Sequence, residues 1–347
     1  MPSTLVLTGD INLMNIADPD VPFRRITKDL RAADVVFSNL ECCLHLPSSH
    51  HATSTEGFFA DPVIGGEALR RAGIHAVGIA NNVNYGAASV MASIERLDEL
   101  GILHTGAGRD RSAARAPAVI ARNGVRAGVL QRSSVYWPTD HEAHDDTPGI
   151  AVICGHTAYQ VPTGRAHPGM PPANRPGVPP LIVTWADKDH LAEYCRDIAA
   201  LRPQVDIVVA SCHWGLGRDP LAYMIEIAHA AIEAGADIVV GHGPHELLPI
   251  EIYRGRPICY GLGNLSFHTG HGGRKHGNWV GVLVEIVCEQ GKIATLDLRL
   301  VRHSDANETI FCRPQDEGEV LTDLAGRSER LGATLTAQGD RVRVSVQ

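Results

Sequence analysis

Residues 239–249 read VVGHGPHELLP. An apolar run, Ile238-Val239-Val240, gives way at once to Gly241-His242-Gly243-Pro244-His245, so two imidazoles stand where a buried strand should end. Pro244 beside a glycine excludes a helix interior. The stretch reads as a strand followed by a loop that aims two histidines from one strand end.

The same switch recurs along the chain. Residues 4–8 precede Gly9-Asp10, and 35–37 precede Ser38-Asn39-Leu40-Glu41. Residues 77–80 run into Asn81-Asn82, 207–210 into Ser211-Cys212-His213-Trp214, and 258–262 into Gly263-Asn264. Continuous runs rich in valine and isoleucine fit strands buried on both faces. Between them 67–72, 87–100, 188–201 and 220–234 carry apolar residues at helical spacing, with Gly101 and Gly235 where left-handed caps are expected. Strands alternating with helices predict an α/β fold with a largely parallel sheet, whose ligands gather beyond the carboxyl ends of the strands. Every polar cluster falls there.

After residue 278 the pattern becomes alternating, as in Val280, Val282, Val284 and Ile286 and again over 293–301, which predicts antiparallel strands continuing the core. A helix over 317–331 and an edge strand over 341–346 complete the tail. Residues 136–181 are rich in proline, histidine and glycine and predict a long active-site loop or lid. With no internal repeat or interior linker, 1–347 reads as a single domain.

The bulk composition narrows the classes. The chain has 347 residues, 44% hydrophobic, with a net charge of -8, so it can bury a large core and offers no basic stripe to a nucleic acid. No apolar run of about 20 residues and no signal-peptide pattern is present, which predicts a cytoplasmic protein without a membrane anchor. Its eight cysteines are scattered without a CxxC pair, an expectation of reduced thiols.

Asp10, Glu41, Asn82, His213, His242 and His245 are the residue types that surround one or two divalent cations, with oxygen donors for hard ions and imidazole for zinc, manganese or iron; calcium also stays open. Taken singly, a histidine after a strand is a satisfied loop residue more often than a ligand, and an aspartate after glycine is more often a turn. Repetition at the same end of several strands favours a metal site. Arg218, Arg274 and Lys275 are the cations available to an anionic substrate, against a reading as solvated surface charge. His268, His271 and His276 follow Gly263-Asn264-Leu265-Ser266-Phe267 and could reach over the strand ends as acid or base, against a solvent-facing loop. Asn81, Trp214 and Asn264 complete the candidate substrate contacts, with packing the plain alternative for Trp214.

The stretches GDINLMN (9–15), ADVVFSNLE (33–41), AVGIANN (76–82), SCHWG (211–215) and GADIVVGHGPHELLPIEIYRGRPICYGLGNLSF (235–267) resemble, in order, the motifs of the CapA-like proteins. That family is named for poly-γ-glutamate capsule synthesis and is related to calcineurin-like metallophosphoesterases. The resemblance implies a layered α-β-β-α fold around one or two metals. By motif position it implies Asp10 and Glu41 as carboxylate ligands, Asn82 as amide ligand, and His213, His242 and His245 as imidazole ligands. The sequence departs from the family at three places. Val83 stands where the family carries a histidine that serves phosphoesterases as general acid, Gly243 where a further histidine is common, and Asn12 where the wider superfamily has a histidine ligand.

A metal in such a site polarises a carbonyl or phosphoryl oxygen, or lowers the pKa of water from ~16 to ~7. The expected function is a metal-dependent hydrolase of an amide, γ-glutamyl or phosphoester bond in a small-molecule or peptide substrate, with His242, His268 and His271 as catalytic candidates. Metal-assisted epimerisation at a peptide Cα is the alternative from another reaction class, and a non-catalytic poly-γ-glutamate or peptide-binding protein is the third reading.

Overall fold

The computed structural model describes residues 2–47, 58–161, 177–270 and 277–346. Its strands form two large sheets. The first has ten strands. Eight run in the order Ala333–Gln338, Arg341–Val346, Lys292–His303, Gly281–Glu289, Ser3–Asn12, Val35–Leu40, Ala76–Gly78 and Leu103–Thr105, with Asn264–Phe267 and Thr309–Phe311 joined beside them. The second has six: Leu247–Tyr253, Arg256–Leu262, Ile238–His242, Ile207–His213, Val125–Ser133 and Ala118–Arg122.

Around the polar clusters the strands pair in parallel, as Ser3–Asn12 does with Val35–Leu40 and Ile207–His213 with Ile238–His242. The alternating segments after residue 278 pair antiparallel. The protein is thus a mixed α/β structure, with two sheets where the strand pattern alone suggested one. Arg341–Val346 is not an edge strand, because the turn at Gly339 brings Ala333–Gln338 to its outer side.

Side-chain parity along each strand builds the cores. Leu5, Leu7, Val35 and Phe37 of the larger sheet share one buried cluster with Val129, Ile207, Val209 and Ile238 of the smaller. The opposite parity of the larger sheet, Val6 and Val36, is buried with Leu30, Leu69, Val90 and Leu97 of the helices Thr27–Ala32, Pro62–Ala72 and Ala87–Glu99. In the smaller sheet Val208, Ala210 and Cys212 are buried with Tyr194, Ile198, Ile227 and Ala231 of the helices Lys188–Leu201 and Ala222–Ala234. Each fully buried valine or isoleucine contributes about 1.5–3 kcal/mol relative to exposure.

The helix expected over 67–72 begins earlier, at Pro62. Asp61 caps it, its carboxylate accepting from the amides of Val63 and Ile64 at 2.8 and 3.0 Å. Its first half escapes a periodicity reading because Gly65 and Gly66 interrupt the apolar spacing. Both are buried, and a Cβ on Gly66 would lie 2.6 Å from the Leu100 side chain, so these glycines permit close packing. Gly235 caps Ala222–Ala234 at φ 119°, as expected from sequence.

The strands Ala118–Arg122 and Val125–Ser133 were not legible as apolar runs, because Arg126, Gly128, Gln131 and Arg132 interrupt the second. Buried Arg132 stays in the interior because its guanidinium meets Asp197 at 2.5 Å and lies over the Tyr194 ring. Within 136–181, the described residues contain the short strand Gly149–Ile150, the strand Gly155–Gln160 and the first residue of Leu181–Ala186, while 162–176 lie outside the described residues. All eight cysteines are free. Among the described residues no helix is long and apolar enough to cross a membrane.

Candidate metal centre

Parity that fills the core between the sheets also aims the polar residues beyond it. His213 follows Ile207 and Val209 on the same face, and His242 follows Ile238 and Val240, so both rings point to the mouth between the sheets. Asp10 arrives from the other sheet at a register shift between Asp10 and Ile11, where the strand pairs with Asn264–Phe267. His245 sits in the left-handed region, at φ 58°, after Gly243 at φ 110°. A non-glycine residue there stores strain of order 1–3 kcal/mol, which the surrounding contacts must hold. The strained turn folds His245 back onto the carboxylates.

Asp10, Glu41 and His245 offer ligand atoms that all lie within 4.8 Å of one another. His245 Nδ1 is 3.1 Å from Asp10 Oδ2 and its Nε2 is 3.5 Å from Glu41 Oε1. His242 Nδ1 stands 3.3 Å from Asp10 Oδ1, and His213 Nε2 stands 3.5 Å from Glu41 Oε1. Neither contact is a formed hydrogen bond: His242 Nδ1 and Nε2 and His213 Nε2 are buried without one. Buried ring nitrogens left unsatisfied beside two buried carboxylates are costly unless a cation completes them. Donors of this kind fit a divalent ion.

The residues around this group fix its orientation. Asn39 donates from its side-chain amide to Asp10 Oδ1 at 2.8 Å and lies 3.4 Å from Glu41 Oε2, bridging the two carboxylates. The Gly243 amide donates to Asp10 Oδ2 at 3.3 Å. His213 Nδ1 meets Ser133 Oγ at 3.1 Å, and His245 Nδ1 also meets Asn264 Oδ1 at 3.0 Å. Burial pushes the Asp10 carboxyl up, but the His242 and His245 imidazoles set close against it, and their charge, outweigh it and hold the group far below the usual carboxylate range. For His245 burial works against the charged ring, while the Glu41 charge and Asp10 prevail and push its pKa up to about 9.

The other sequence candidates fall in distinct places. Asn81 is fully buried, donating to the Leu40 carbonyl at 2.9 Å and accepting from the Asn84 amide at 3.2 Å, so it braces the loop. Asn82 is half-buried; its backbone carbonyl accepts from the Trp137 indole at 2.9 Å. Trp214 is fully buried, with its indole N–H on the Tyr260 carbonyl at 2.9 Å, and lies in the core rather than on a substrate wall. Arg218 is exposed and pairs with Asp323 at 2.8 Å and Glu246 at 3.4 Å. It shares an open cavity of about 530 Å³ with His245 and Trp279. His268 packs edge-on against the His303 ring at 5.7 Å. His271, Arg274, Lys275 and His276 lie outside the described residues.

Among the departures from the family pattern, Asn12 uses its side chain on backbone, donating to the Thr269 carbonyl and accepting from the Met14 amide, both at 2.8 Å. Val83 is buried in the core. Sequence reasoning singled out neither Asn39 nor Gln131 as a site residue. Their signal was the parity of their strands, two residues beyond Phe37 and Val129 respectively.

Residues 4–269 match the model for "Bacterial capsule synthesis protein PGA_cap", and the chain belongs to that family. It is 23% identical to the capsule biosynthesis protein CapA of Bacillus anthracis, an alignment covering 99% of this chain and 77% of that protein. It is 31% identical to a probable polyglutamine synthesis accessory protein of Mycobacterium tuberculosis, covering 58% of this chain and 47% of that one. An uncharacterised protein of Sinorhizobium fredii is 29% identical, over 76% of this chain and 66% of its own length. The chain therefore spans about half to two thirds of these last two relatives.

Proposed function

We propose that the protein is a metal-dependent hydrolase acting on an amide, γ-glutamyl or phosphoester bond, with a role in the making or trimming of a poly-γ-glutamate-type polymer. The observation that carries this reading is the set of unsatisfied buried nitrogens on His213 and His242 facing Glu41 and Asp10. Asp10, Glu41 and His245 would hold the first ion, and His213, His242 and Asn82 would complete one or two sites. A divalent ion there supplies Lewis acidity and activates water near neutral pH. The chain's own residues do the rest. Asn39 keeps both carboxylates turned inward, and Ser133 and Asn264 orient the rings of His213 and His245. The cavity beside His245 gives a substrate its approach, with Arg218 at its edge. Since Val83 has no ionisable proton to give, leaving-group protonation would fall to His268 or His271 while His242 holds the metal.

The layered α-β-β-α arrangement of calcineurin-like metallophosphoesterases is part of this proposal. Support for it comes from one core shared by the two sheets and two more shared by the sheets and their helices. The test is to purify the protein without chelator, measure its metals by elemental mass spectrometry, and assay phosphodiester, phosphomonoester, γ-glutamyl and peptide amide substrates. About one or two equivalents of metal with turnover of any of these is expected. Metal without hydrolysis, but with deuterium uptake from heavy water at a peptide Cα, would replace the hydrolase with an epimerase.

A further inference from the structure

The strands Val35–Leu40, Ala76–Gly78 and Leu103–Thr105 pair in parallel, and at their amino ends, opposite to the end that leads into Glu41, a cavity of about 620 Å³ opens beside His75. Arg31, Arg70 and Arg122 line it, and among the described residues no Asp or Glu does. They arrive from the helices Thr27–Ala32 and Pro62–Ala72 and from the strand Ala118–Arg122 of the smaller sheet. Arg70 pairs with Glu67 at 2.8 Å. Arg31 and Arg122 have no carboxylate partner among the described residues: Arg31 Nε donates to the Arg71 carbonyl at 2.8 Å, and the Arg122 guanidinium is set against His75 Nε2. That last contact joins two donors. The Val36 amide donates to His75 Nδ1 at 2.9 Å, so the hydrogen of the neutral ring sits on Nε2. Burial, and then the Arg122 charge, pull the ring's pKa down to about 4; the Asp34 charge acts the other way, with its oxygens accepting from Thr4 and Asn123. His75 therefore offers Arg122 a hydrogen and no lone pair.

We infer that this cavity is an oxyanion site, in which a phosphate or carboxylate group is held by Arg31, Arg122 and the Nε2–H of His75. An oxyanion accepts from both donors that meet there and matches the guanidinium charges, which a neutral acceptor does not. The plain alternative is that the arginines serve the ends of the helices Pro62–Ala72 and Ala87–Glu99, which finish beside the cavity. Backbone already meets those ends: the Leu69 carbonyl accepts from the Ile74 amide at 3.1 Å and the Leu97 carbonyl from the Ile102 amide at 3.0 Å. Two helix ends together carry about one negative charge. Glu67 adds a second, so the three guanidiniums exceed the local negative charge by about one. The planar fork of an arginine suits phosphate and carboxylate alike.

Isothermal titration of the full, metal-loaded chain with inorganic phosphate and with glutarate, at low ionic strength, tests this. One site per chain is expected, with a Kd of about 0.1–1 mM for at least one of the two anions. Arg31→Gln and Arg122→Gln should each weaken binding at least about tenfold, as expected for loss of a hydrogen bond from a charged group, and should keep the wild-type metal content and unfolding midpoint. His245→Ala should bind the anion as wild type does, which separates this cavity from the metal centre and keeps the two readings independent. Binding of phosphate alone assigns the site to a phosphate ligand, of glutarate alone to a carboxylate ligand, and of both to either. No binding of either anion overturns the proposal. So does binding that survives both arginine substitutions, or that disappears in His245→Ala.

Discussion

Gln131 and Asn39 belong to different sheets, and Gln131 Nε2 donates to Asn39 Oδ1 at 3.0 Å. Both are fully buried. Gln131 is itself fixed, its Oε1 accepting from the Ala80 amide at 2.7 Å. Asn39 then has its oxygen occupied and its amide committed to Asp10 and Glu41. An amide relay from one sheet thus sets the orientation of two carboxylates in the other.

Asn39→Leu and Gln131→Met should therefore weaken metal binding by about 10–100-fold, the range seen when supporting hydrogen bonds around a metal ligand are removed. Isothermal titration with Zn²⁺ or Mn²⁺ measures it, at temperatures well below the unfolding midpoint of the chelated variants. Wild-type affinity in both variants would reduce the relay to ordinary core packing.

His213→Ala and His245→Ala should each leave the purified protein with little or no bound metal and no turnover, read by elemental mass spectrometry and by whichever substrate proves active. His268→Ala should keep its metal and lose turnover. Unchanged turnover in that variant would remove His268 from the catalytic candidates. Full metal loading in the His213→Ala, His245→Ala double variant would overturn the site.

Much of this centre was legible because a ligand type after an apolar run is visible in sequence: Asp10, Glu41 and His245 were named from pattern and resemblance, and they converge. What stayed hidden follows from chain crossing. The Asn39–Gln131 pair spans 92 residues and two sheets, so only the parity of two separate strands could foreshadow it. Parity was readable beyond Phe37, but not in Val125–Ser133, where Arg126 and Arg132 obscure the strand. Trp214 was ambiguous for a different reason: a tryptophan next to the candidate ligand His213 has the opposite strand parity, and here that face meets helices. The strand Gly155–Gln160 was hidden inside 136–181, where prolines and histidines outweighed the short alternating segment.

Metal uptake should release a proton. In the metal-free protein His245 stays protonated until about pH 9. A ligand imidazole must be neutral, so at pH 7 binding displaces about one proton, and affinity should rise about tenfold per pH unit until it levels near pH 9. The sign for stability is the reverse. A raised folded pKa stabilises the metal-free fold below the unfolded value of about 6.5, and that contribution is lost as pH rises through 9. Titration at pH 7 in buffers of different ionisation enthalpy counts the proton; a count near zero would refute a charged His245.

His141 should give the opposite pH signature. Its Nδ1 accepts from the Trp137 amide at 3.0 Å and its Nε2 faces the Asn84 carbonyl at 2.9 Å, so the ring is buried as the neutral Nε2–H tautomer. Burial pulls its pKa down to about 4. Above pH 6.5 neither state is charged and stability is level; as pH falls from 6.5 to 4 the unfolded chain takes up a proton first, costing about 3 kcal/mol. His141→Gln lowers stability at every pH but should remove that share of the loss between pH 7 and 4.5. Denaturant unfolding of chelated wild type and variant at the two pH values measures the difference.

The most demanding test reaches the carboxylates from a residue that touches neither. A Cβ on Gly78 would lie 2.3 Å from the side-chain amide nitrogen of Gln131, closer than any real contact allows. Gln131 is fully buried and has little room to retreat. Gly78→Ala should therefore push the Gln131 amide off Asn39 and lower metal affinity by about as much as Gln131→Met does. If both act through the one relay, the double variant should bind metal about as weakly as either single variant, a coupling of about 1–3 kcal/mol. Additive losses in that double-mutant cycle would mean that Gly78 acts by disturbing the sheet and not through Gln131. A Gly78→Ala protein with wild-type affinity would show that Gln131 does not govern the carboxylates at all.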